Sequence, residues 1–319
     1  FTLFYDPAGV SPAIRARRVR TSFLNPLRCC YRSVLPLMPI ALEQLDLRGY
    51  DLIVSSESGP AKGVLVPSGA RHVCYVHSPM RYLWELYPEY AGRAPRWKRA
   101  LMAPASHYLR LWDTYTAARV DEFIANSENV RARIRRAWGR ESRVIHPPVP
   151  VETFFTKPPE DWYLIVSELV DYKRIDVAIR AFSRSGRRLR IAGQGPEYRR
   201  LRAMASSNVE FCGHVPDAEL RELYARCRAF LMPGEEDFGM TMVEALASGK
   251  PVIALARGGA AEIVEPDCGV LYEEGEGLDG ALTRFEARSF SAERCQASAQ
   301  RYSEKVFVER MRSVLFQHS

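Results

Sequence analysis

The chain has 319 residues and a net charge of +7, with 47% hydrophobic and 26% charged residues. This length exceeds what one ordinary core holds and predicts two domains of roughly 150 residues each. The composition is that of a globular protein, which excludes the disordered and fibrous classes.

Apolar runs and cysteines narrow the class of protein further. Runs such as "VLPLMPIAL" (34–42) are far shorter than the roughly 20 residues that a membrane-spanning helix needs, so we expect none. We also find no secretory signal pattern at the start. The seven cysteines are scattered and contain no C-x-x-C pair, and adjacent Cys29 and Cys30 are poorly placed to share a metal. These features predict reduced thiols in a cytoplasmic protein.

Positive charge is concentrated in the first half of the chain. Residues 1–150 contain 22 Lys and Arg against 12 Asp and Glu, whereas residues 151–319 contain 23 against 26. Basic clusters occur at Arg15–Arg20, Arg96–Arg99 and Arg131–Arg136. They are compatible with solvated helix faces, with an anionic membrane surface or with nucleic acid. Nucleic acid is the least favoured partner, because the chain carries no recognisable nucleic-acid-binding motif.

Short apolar runs alternate with helix-like stretches along both halves. Runs that are apolar along their whole length predict strands of parallel sheets covered on both faces. A segment with five prolines, "HPPVPVETFFTKPPED" (146–161), predicts a linker between the halves. The sequence therefore predicts two Rossmann-like α/β domains, 1–150 and 151–300, with a cleft between them. The predicted strands lie in 51–56, 72–77, 122–127, 162–168, 188–196, 209–215, 229–234 and 251–256.

The segment "PGEEDFGMTMVEALASGKPVIA" (233–254) combines a strand end, a loop and a helix. Gly249 and Pro251 predict where the helix ends. The amides of residues 238–241 lie near the helix start, where free N–H groups favour an anion or hydroxyl oxygens. Glu236 in the loop and Glu244 in the helix form a pair of acceptors that suits the vicinal hydroxyls of a sugar or ribose. The alternative is that these acidic residues only cap the helix.

Five segments of the second half together resemble family 4 of the retaining glycosyltransferases, which have the GT-B fold. They are "VSELVDYKRID" (166–176), "IAGQGP" (191–196), "GHVPDAELRELYARC" (213–227), the Glu-x7-Glu segment and "ARGGAAEIV" (256–264). Residues 51–87 and 123–149 of the first half are similar to one branch of that family, the WbaZ-type bacterial mannosyltransferases of surface polysaccharide synthesis.

The resemblance implies a role for individual residues. Glu244 corresponds to the residue that holds the ribose hydroxyls, Glu236 to the one against the donor sugar, and Lys173 to the cation that neutralises the diphosphate. His77 corresponds to a position that contacts the donor sugar, although a lone His after a strand is equally compatible with a structural role. Arg174 follows Lys173 where many relatives have Gly. The other implied donor-binding positions are Gly193, Gly195, Gly213, His214, Val215, Phe238, Gly239, Met240 and Thr241, and Gly258, Gly259 and Glu262 resemble a second glycine-rich loop with its acidic neighbour.

Two features depart from the family pattern. Glu168 stands where the family usually has Arg, and a carboxylate there would repel a diphosphate by about 1 kcal/mol at 4 Å in water. Either Arg174 replaces the missing charge, Glu168 turns away, or donor binding is weakened. The chain also opens at a point that follows an initial strand, a Gly-rich loop and a helix in the branch it resembles. We therefore expect a first domain that lacks these elements.

The resemblance implies a metal-independent hexosyltransferase without a cofactor. Its expected donor is GDP-mannose and its expected acceptor a lipid-linked oligosaccharide, as in lipopolysaccharide synthesis, at the inner face of the cell membrane. The C-terminal helix (303–317) is expected to cross back to the first domain, as in GT-B enzymes. Two alternatives remain open, a catalytically impaired nucleotide-sugar-binding protein and a basic protein that binds membrane surfaces.

Overall fold

The computed structural model describes residues 1–31 and 33–316, so Gln317 of the predicted C-terminal helix lies outside the described residues. The chain forms two compact units. Unit 1 contains Phe1–Asn126 and Val130–Val144, and unit 2 contains Ser127–Asn129 and the chain from Ile145 onward. Among the described helices, none is long and apolar enough to cross a membrane.

Unit 1 is built on a parallel sheet of four strands in the order β1-β2-β3-β4. In β2, five of six residues are buried, which agrees with the apolar run that predicts it. The prediction missed β4, which has two residues and carries little pattern. The strands are β1 (Leu52–Glu57), β2 (Arg71–Val76), β3 (Glu122–Ala125) and β4 (Arg143–Val144), and the helices are α1 (Pro12–Arg15), α2 (Met38–Glu43), α3 (Tyr87–Arg93), α4 (Arg96–Thr116) and α5 (Glu128–Trp138), of which the first two residues belong to unit 2.

A cluster of charged side chains lies inside unit 1. Lys62, Glu57 and Asp113 are all completely buried, and the Lys62 ammonium contacts the Asp113 carboxylate. The indole N–H groups of Trp84 and Trp138 both donate to Asp113 Oδ2 at 2.8 Å. Burial raises the pKa of Glu57 to about 7, although the nearby Lys62 charge opposes the shift. The cluster ties α4 to the end of β1 through charge and hydrogen bonding.

Unit 2 is built on a parallel sheet of six strands in the order β10-β9-β8-β5-β6-β7. The chain order along this sheet reverses between β5 and β8, which is the doubly wound arrangement of dinucleotide-binding folds. The strands are β5 (Tyr163–Val166), β6 (Leu189–Ala192), β7 (Val209–Gly213), β8 (Ala229–Met232), β9 (Val252–Leu255) and β10 (Gly269–Tyr272), and the helices are α6 (Ile175–Ser185), α7 (Tyr198–Ala203), α8 (Asp217–Arg226), α9 (Met240–Ala247), α10 (Ala260–Ile263), α11 (Gly277–Glu286), α12 (Ala292–Ala299) and α13 (Glu304–Leu315).

Helices cover both faces of the unit 2 sheet. Every residue of β8 and β9 is buried, as the continuous apolar runs predict for central strands of a parallel sheet. Side chains from one sheet face pack with α9, and side chains from the other pack with α6 and α11. Of the strands in this unit, β10 was not predicted from the sequence. Its four residues, "GVLY", form an apolar run as long as those of β5 and β8, so this strand was overlooked although the sequence carries the same pattern.

The Pro-rich segment differs from the prediction. The chain passes from unit 1 to unit 2 at Val144–Ile145, before the prolines begin. Val149 and Val151 then lie in the unit 2 core, and the Val149 N–H donates to the Tyr302 carbonyl at 2.9 Å. Most of the predicted linker is thus a fixed part of unit 2. Contacts of α13 with unit 1 remain a prediction.

Candidate functional site

Loops from four strands of unit 2 meet at the carboxyl ends of those strands, where open parallel sheets bind ligands. Glycines allow this close approach. A Cβ at Gly193, after β6, would lie 1.9 Å from the Ser167 carbonyl oxygen, after β5. A Cβ at Gly234, after β8, would lie 2.6 Å from the Lys173 carbonyl oxygen.

The loops after β8 and β9 are in equally close contact. A Cβ at Gly258 would lie 2.1 Å from the Glu236 carbonyl oxygen, and a Cβ at Gly259 would lie 2.0 Å from that of Phe238. The Gly259 N–H donates to the Glu236 carbonyl at 2.9 Å. These glycines therefore hold together the segments that carry the predicted site residues.

Two of those residues, Lys173 and Glu236, form an ion pair. The Lys173 ammonium contacts Glu236 Oε1, and both side chains are mostly buried, with 13% and 20% exposed. Lys173 ends a turn of 3₁₀ helix after β5, and Glu236 lies in the loop after β8. The sequence assigned these residues to one ligand without predicting that they contact each other.

Arg174, next to Lys173, adopts an unusual backbone conformation. Its φ of 53° is left-handed, and among the described residues it is the only non-glycine with positive φ. Glycine adopts this conformation without the steric cost that a Cβ brings. Glu168, five residues before Lys173, is exposed, and the described residues show no ion pair of its carboxylate. Its carbonyl oxygen accepts hydrogen bonds from Ser167 Oγ and from the Val170 N–H.

Glu244 lies in α9, which begins directly after Gly239 at φ 100°. Tyr224 of α8 donates its hydroxyl to Glu244 Oε2 at 2.7 Å, and Tyr224 is completely buried. Burial raises the pKa of Glu244, whereas the hydrogen bond from Tyr224 opposes that shift. Sequence reasoning missed Tyr224, although it lies within the "ELRELYARC" helix that contributed to the resemblance.

The residues expected to bind an anion lie at the start of α9. Gly239 is the N-cap, so the N–H groups of Met240 and Thr241 lie in the first turn, where a helix lacks internal acceptors. Met240 is exposed. Phe238 is buried instead, and its ring stacks on His146 with 5.5 Å between centroids. At Phe238 only the backbone remains a candidate for ligand contact.

Gly195 allows a close backbone contact, whereas Gly213 has open space around it and provides a left-handed backbone conformation. A Cβ at Gly195 would lie 2.4 Å from the Leu169 carbonyl oxygen. The Gly193 N–H donates to the Gly213 carbonyl at 2.7 Å, and Gly213 has φ 69°. His214 is exposed and Val215 half-buried directly after β7. These positions border the loops after β5 and β6.

Glu262, in the first turn of α10, accepts hydrogen bonds from backbone and side chain. The N–H groups of Glu128 and Asn129 donate to its carboxylate at 2.9 and 3.1 Å, and His146 Nε2 lies 3.3 Å from it. Burial alone would raise the pKa of Glu262, but the hydrogen bonds from His146, Glu128 and Asn129 outweigh it and lower that pKa. Glu262 therefore caps the segment 127–129 within unit 2.

His77, in unit 1, directly follows β2. Its N–H donates to the Glu57 carbonyl at 2.8 Å, and its Nε2 lies 2.9 Å from Ser56 Oγ. Desolvation of the ring lowers its pKa, which favours a neutral imidazole near pH 7. Within the described part of the chain, no three His, Cys, Asp or Glu side chains are grouped as they would be to hold a metal ion.

Models of two glycosyltransferase families match the chain in succession. Residues 2–153 match the family described as "Glycosyltransferase Family 4", and residues 153–302 match "Glycosyl transferases group 1". Together the two matches extend over both units. The junction between them lies a few residues after the passage from unit 1 to unit 2.

Individual proteins show the same likeness. The chain is 29% identical over 257 residues to a GDP-mannose-dependent alpha-mannosyltransferase of Mycolicibacterium smegmatis, covering 74% of this chain and 64% of that protein. It is 31% identical over 171 residues to a GDP-mannose-dependent alpha-(1-6)-phosphatidylinositol monomannoside mannosyltransferase of the same organism, covering 43% and 45%. The chain thus spans less than two thirds of either relative.

Solved structures show the fold. A sucrose-phosphate synthase from Thermosynechococcus elongatus superimposes with a TM-score of 0.76 at 18% identity, covering 99% of this chain and 88% of that one. The fold is GT-B, with two parallel-sheet Rossmann-like domains. At this level of identity the superposition shows the fold alone.

Proposed function

We propose that the chain, whose two halves match models of glycosyltransferase families, is a retaining hexosyltransferase that moves mannose from GDP-mannose to a lipid-linked saccharide. The observation that carries this proposal is the loop cluster of unit 2. There Lys173, Glu236 and the start of α9 lie on segments that contact one another directly. A cation, a carboxylate and free amides in one place suit a sugar diphosphate.

The donor is inferred from chemistry and from relatives. Glu244 offers a carboxylate to ribose hydroxyls, and Lys173 and Arg174 offer two cations to the diphosphate. Two relatives are GDP-mannose-dependent by name, which supports guanine as the base and mannose as the sugar. The same names support an acceptor that carries a lipid, since one relative acts on a phosphatidylinositol mannoside.

In the proposed mechanism the acceptor hydroxyl attacks the anomeric carbon on the face from which the diphosphate departs. The bond from that carbon to the diphosphate oxygen breaks as the new glycosidic bond forms, and a donor phosphate oxygen takes the hydroxyl proton. Lys173 and Arg174 stabilise the charge that grows on the leaving diphosphate. Glu236 would contact the sugar, and no protein nucleophile is required.

A panel of nucleotide sugars tests the donor. GDP-mannose should raise the thermal midpoint, because a ligand at 100 times its dissociation constant stabilises by about 2.7 kcal/mol. GDP-glucose, UDP-glucose and UDP-galactose serve as controls for sugar and base. A shift that UDP-sugars produce and GDP-sugars do not would exclude the guanine donor while leaving glycosyltransfer open.

Transfer itself is tested with a lipid-linked saccharide and labelled donor. The anomeric proton of the product should show by NMR that configuration is retained. Glu236→Gln should reduce turnover more than GDP affinity, since GDP lacks the donor hexose that Glu236 is proposed to contact. Glu265→Gln, at a surface ion pair with Arg301, is a matched control that should leave both unchanged. Inverted product would overturn the mechanism.

One observation supports a second candidate, a nucleotide-sugar-binding protein that does not transfer. Glu168 occupies the position where the family usually has Arg, so one diphosphate contact is absent. Glu168→Arg separates the two candidates. A gain in donor affinity together with the first measurable turnover would favour the impaired protein, whereas turnover in the unaltered chain would exclude it.

A further inference from the structure

Helix α4 of unit 1 exposes a row of large apolar side chains. Trp97, Leu101, Leu111 and Tyr115 are 69%, 65%, 60% and 71% exposed, and Tyr108 is 44% exposed. Successive members are separated by four, seven, three and four residues, which places them on one side of an α-helix. We call Trp97, Leu101, Tyr108, Leu111 and Tyr115 the α4 stripe.

The stripe is distinct from the face of α4 that packs on unit 1. Ser106, Leu109, Asp113 and Thr116 are buried and lie at i, i+3, i+7 and i+10. Leu109 packs in a cluster with Met80 and Leu83. One face of α4 thus packs on the core, while another face exposes large apolar side chains to solvent. A second apolar face of this kind is unusual for a helix of a globular protein.

The charged residues around the α4 stripe indicate which kind of partner this surface binds. Arg96 and Lys98 flank Trp97 on either side of the stripe, and both are exposed. Asp113 is the helix's one acidic residue, and it is buried against Lys62. An exposed helix that combines Trp and Leu with Arg and Lys, and exposes no acid, is typical of segments that lie in the interface of an anionic bilayer.

A second copy of the chain fits the stripe less well. Parallel pairing would bring the basic residues 96–99 of two copies together, where like charges repel. Antiparallel pairing would set them beside residues 114–116, a segment without acidic side chains. Neither arrangement provides the opposite charge that an anionic headgroup provides.

We propose that the α4 stripe and its flanking basic residues dock unit 1 on an anionic lipid surface. The inference deepens the proposed function and rests on it for the location of the acceptor, which would lie in the same surface. Trp97 and Leu101 enter the headgroup boundary, while Arg96 and Lys98 contact lipid phosphates. The whole first turn of α4 is exposed, so docking requires no rearrangement of the core.

The test uses the full chain and vesicles of phosphatidylcholine, with or without phosphatidylglycerol. Flotation should show binding to the anionic vesicles alone, weakening as salt rises because screening acts within about 10 Å at 0.1 M. Trp97→Ala/Leu101→Ala should weaken binding roughly tenfold or more. Arg96→Gln/Lys98→Gln should weaken it roughly 10- to 30-fold, at about fivefold for each charge near the surface.

A matched control removes comparable side chains from exposed positions of α13. Lys305→Gln/Val308→Ala/Arg312→Gln should bind vesicles as the unaltered chain does. If the control loses as much binding as the stripe variants, or the stripe variants bind fully, the proposal is wrong. It is equally wrong if sedimentation without lipid shows a dimer that Trp97→Ala/Leu101→Ala dissociates, because the stripe is then covered by a second copy.

Nucleotide binding separates this proposal from the proposed function. The stripe variants should keep the thermal shift produced by GDP-mannose, since their substitutions lie in unit 1 and the proposed donor residues Lys173, Glu236 and Glu244 lie in unit 2. Vesicle binding by a chain that binds no nucleotide sugar would support the lipid surface and refute the donor assignment. The reverse result would refute the lipid surface alone.

Discussion

A single hydroxyl group, that of Tyr224, fixes one oxygen of the carboxylate proposed to hold the ribose. Tyr224 lies on α8 and Glu244 on α9. The hydrogen bond from α8 therefore orients the Glu244 side chain on the neighbouring helix. Because Tyr224 is completely buried, its hydroxyl has no access to solvent as an alternative partner. The hydrogen bond therefore favours both one rotamer and the ionised form of Glu244.

Glu244→Ala should weaken GDP binding by about 1.5–3 kcal/mol, the range for a hydrogen bond to a charged group. Tyr224→Phe should weaken it less, and more at low pH than at high pH, because the pKa of Glu244 rises without the bond. Titration calorimetry across pH measures both. A GDP analogue without ribose hydroxyls is the control, and an equal loss of its affinity would show that Tyr224 has only a structural role.

Arg174→Gly should stabilise unit 2 by about 1 kcal/mol, because Gly adopts φ 53° without the steric cost that a non-glycine side chain bears. It should also weaken GDP binding, because one of the two proposed diphosphate cations is removed. Urea unfolding and calorimetry report the two effects separately. Arg180→Gly, in an exposed position of α6, is a control that should destabilise instead. Unchanged GDP affinity would show that Arg174 does not assist Lys173 in binding the diphosphate.

At the scale of elements, Glu262 joins α10 to the segment 127–129. Its carboxylate accepts two backbone N–H groups, so the interaction resembles an N-cap supplied from another element. His146 adds a third contact, and its ring also stacks on Phe238 in the loop after β8. The glycine-rich loop after β9 is thereby anchored beside the candidate site.

Glu262→Ala should destabilise unit 2 by about 1–2 kcal/mol, as the loss of a capping side chain does. Since the pKa of Glu262 is lowered in the folded state, this contribution is present above the ordinary value of 4.5 and is lost as pH falls below it. Urea unfolding at several pH values measures the effect. Glu265→Ala, at an exposed ion pair, should cost less than about 1 kcal/mol. Equal costs for the two variants would contradict the capping role.

The buried cluster of unit 1 predicts the opposite dependence on pH. Glu57 has a folded-state pKa of about 7 against an ordinary 4.5, so the folded state binds its proton more tightly. Unit 1 should therefore lose stability as pH rises from about 4.5 to 7, by up to roughly 3 kcal/mol. Glu57→Gln should remove this dependence, and Glu43→Gln, at a half-buried ion pair with Arg119, should not. A stability of unit 1 that rises over this range would refute the assignment.

At the scale of the whole molecule, the two units have separate cores and unequal sheets of four and six strands. Separate cores favour unfolding in more than one step. We expect two transitions in urea, with unit 2 the more stable. GDP should raise the unit 2 midpoint, because a ligand stabilises the fold that binds it. Hydrogen exchange measured by peptide identifies each unit, and one concerted transition would contradict this expectation.

The sequence by itself determined the α/β class and eight of the ten strands in the described residues, whereas its donor-site residues remain a proposal. Continuous apolar runs and glycines carry that information locally, because a central parallel strand is buried on both faces and a close backbone contact excludes a Cβ. Of the two missed strands, β4 has only two residues, whereas β10 is an apolar run as long as β5 and was overlooked. The sequence also predicted the domain boundary within the Pro-rich segment 146–161, whereas the chain passes from unit 1 to unit 2 just before that segment.

Only the tertiary structure decided which side chains meet. The Lys173–Glu236 pair, the Tyr224–Glu244 bond and the capping by Glu262 join residues from different elements, far apart in the chain. The sequence alone also did not reveal that the α4 stripe is exposed. Its residues are apolar and at helical spacing, and sequence cannot tell such a row from a core face until the packing of the other face is known. Periodicity is a local property, whereas contact and exposure depend on the whole fold.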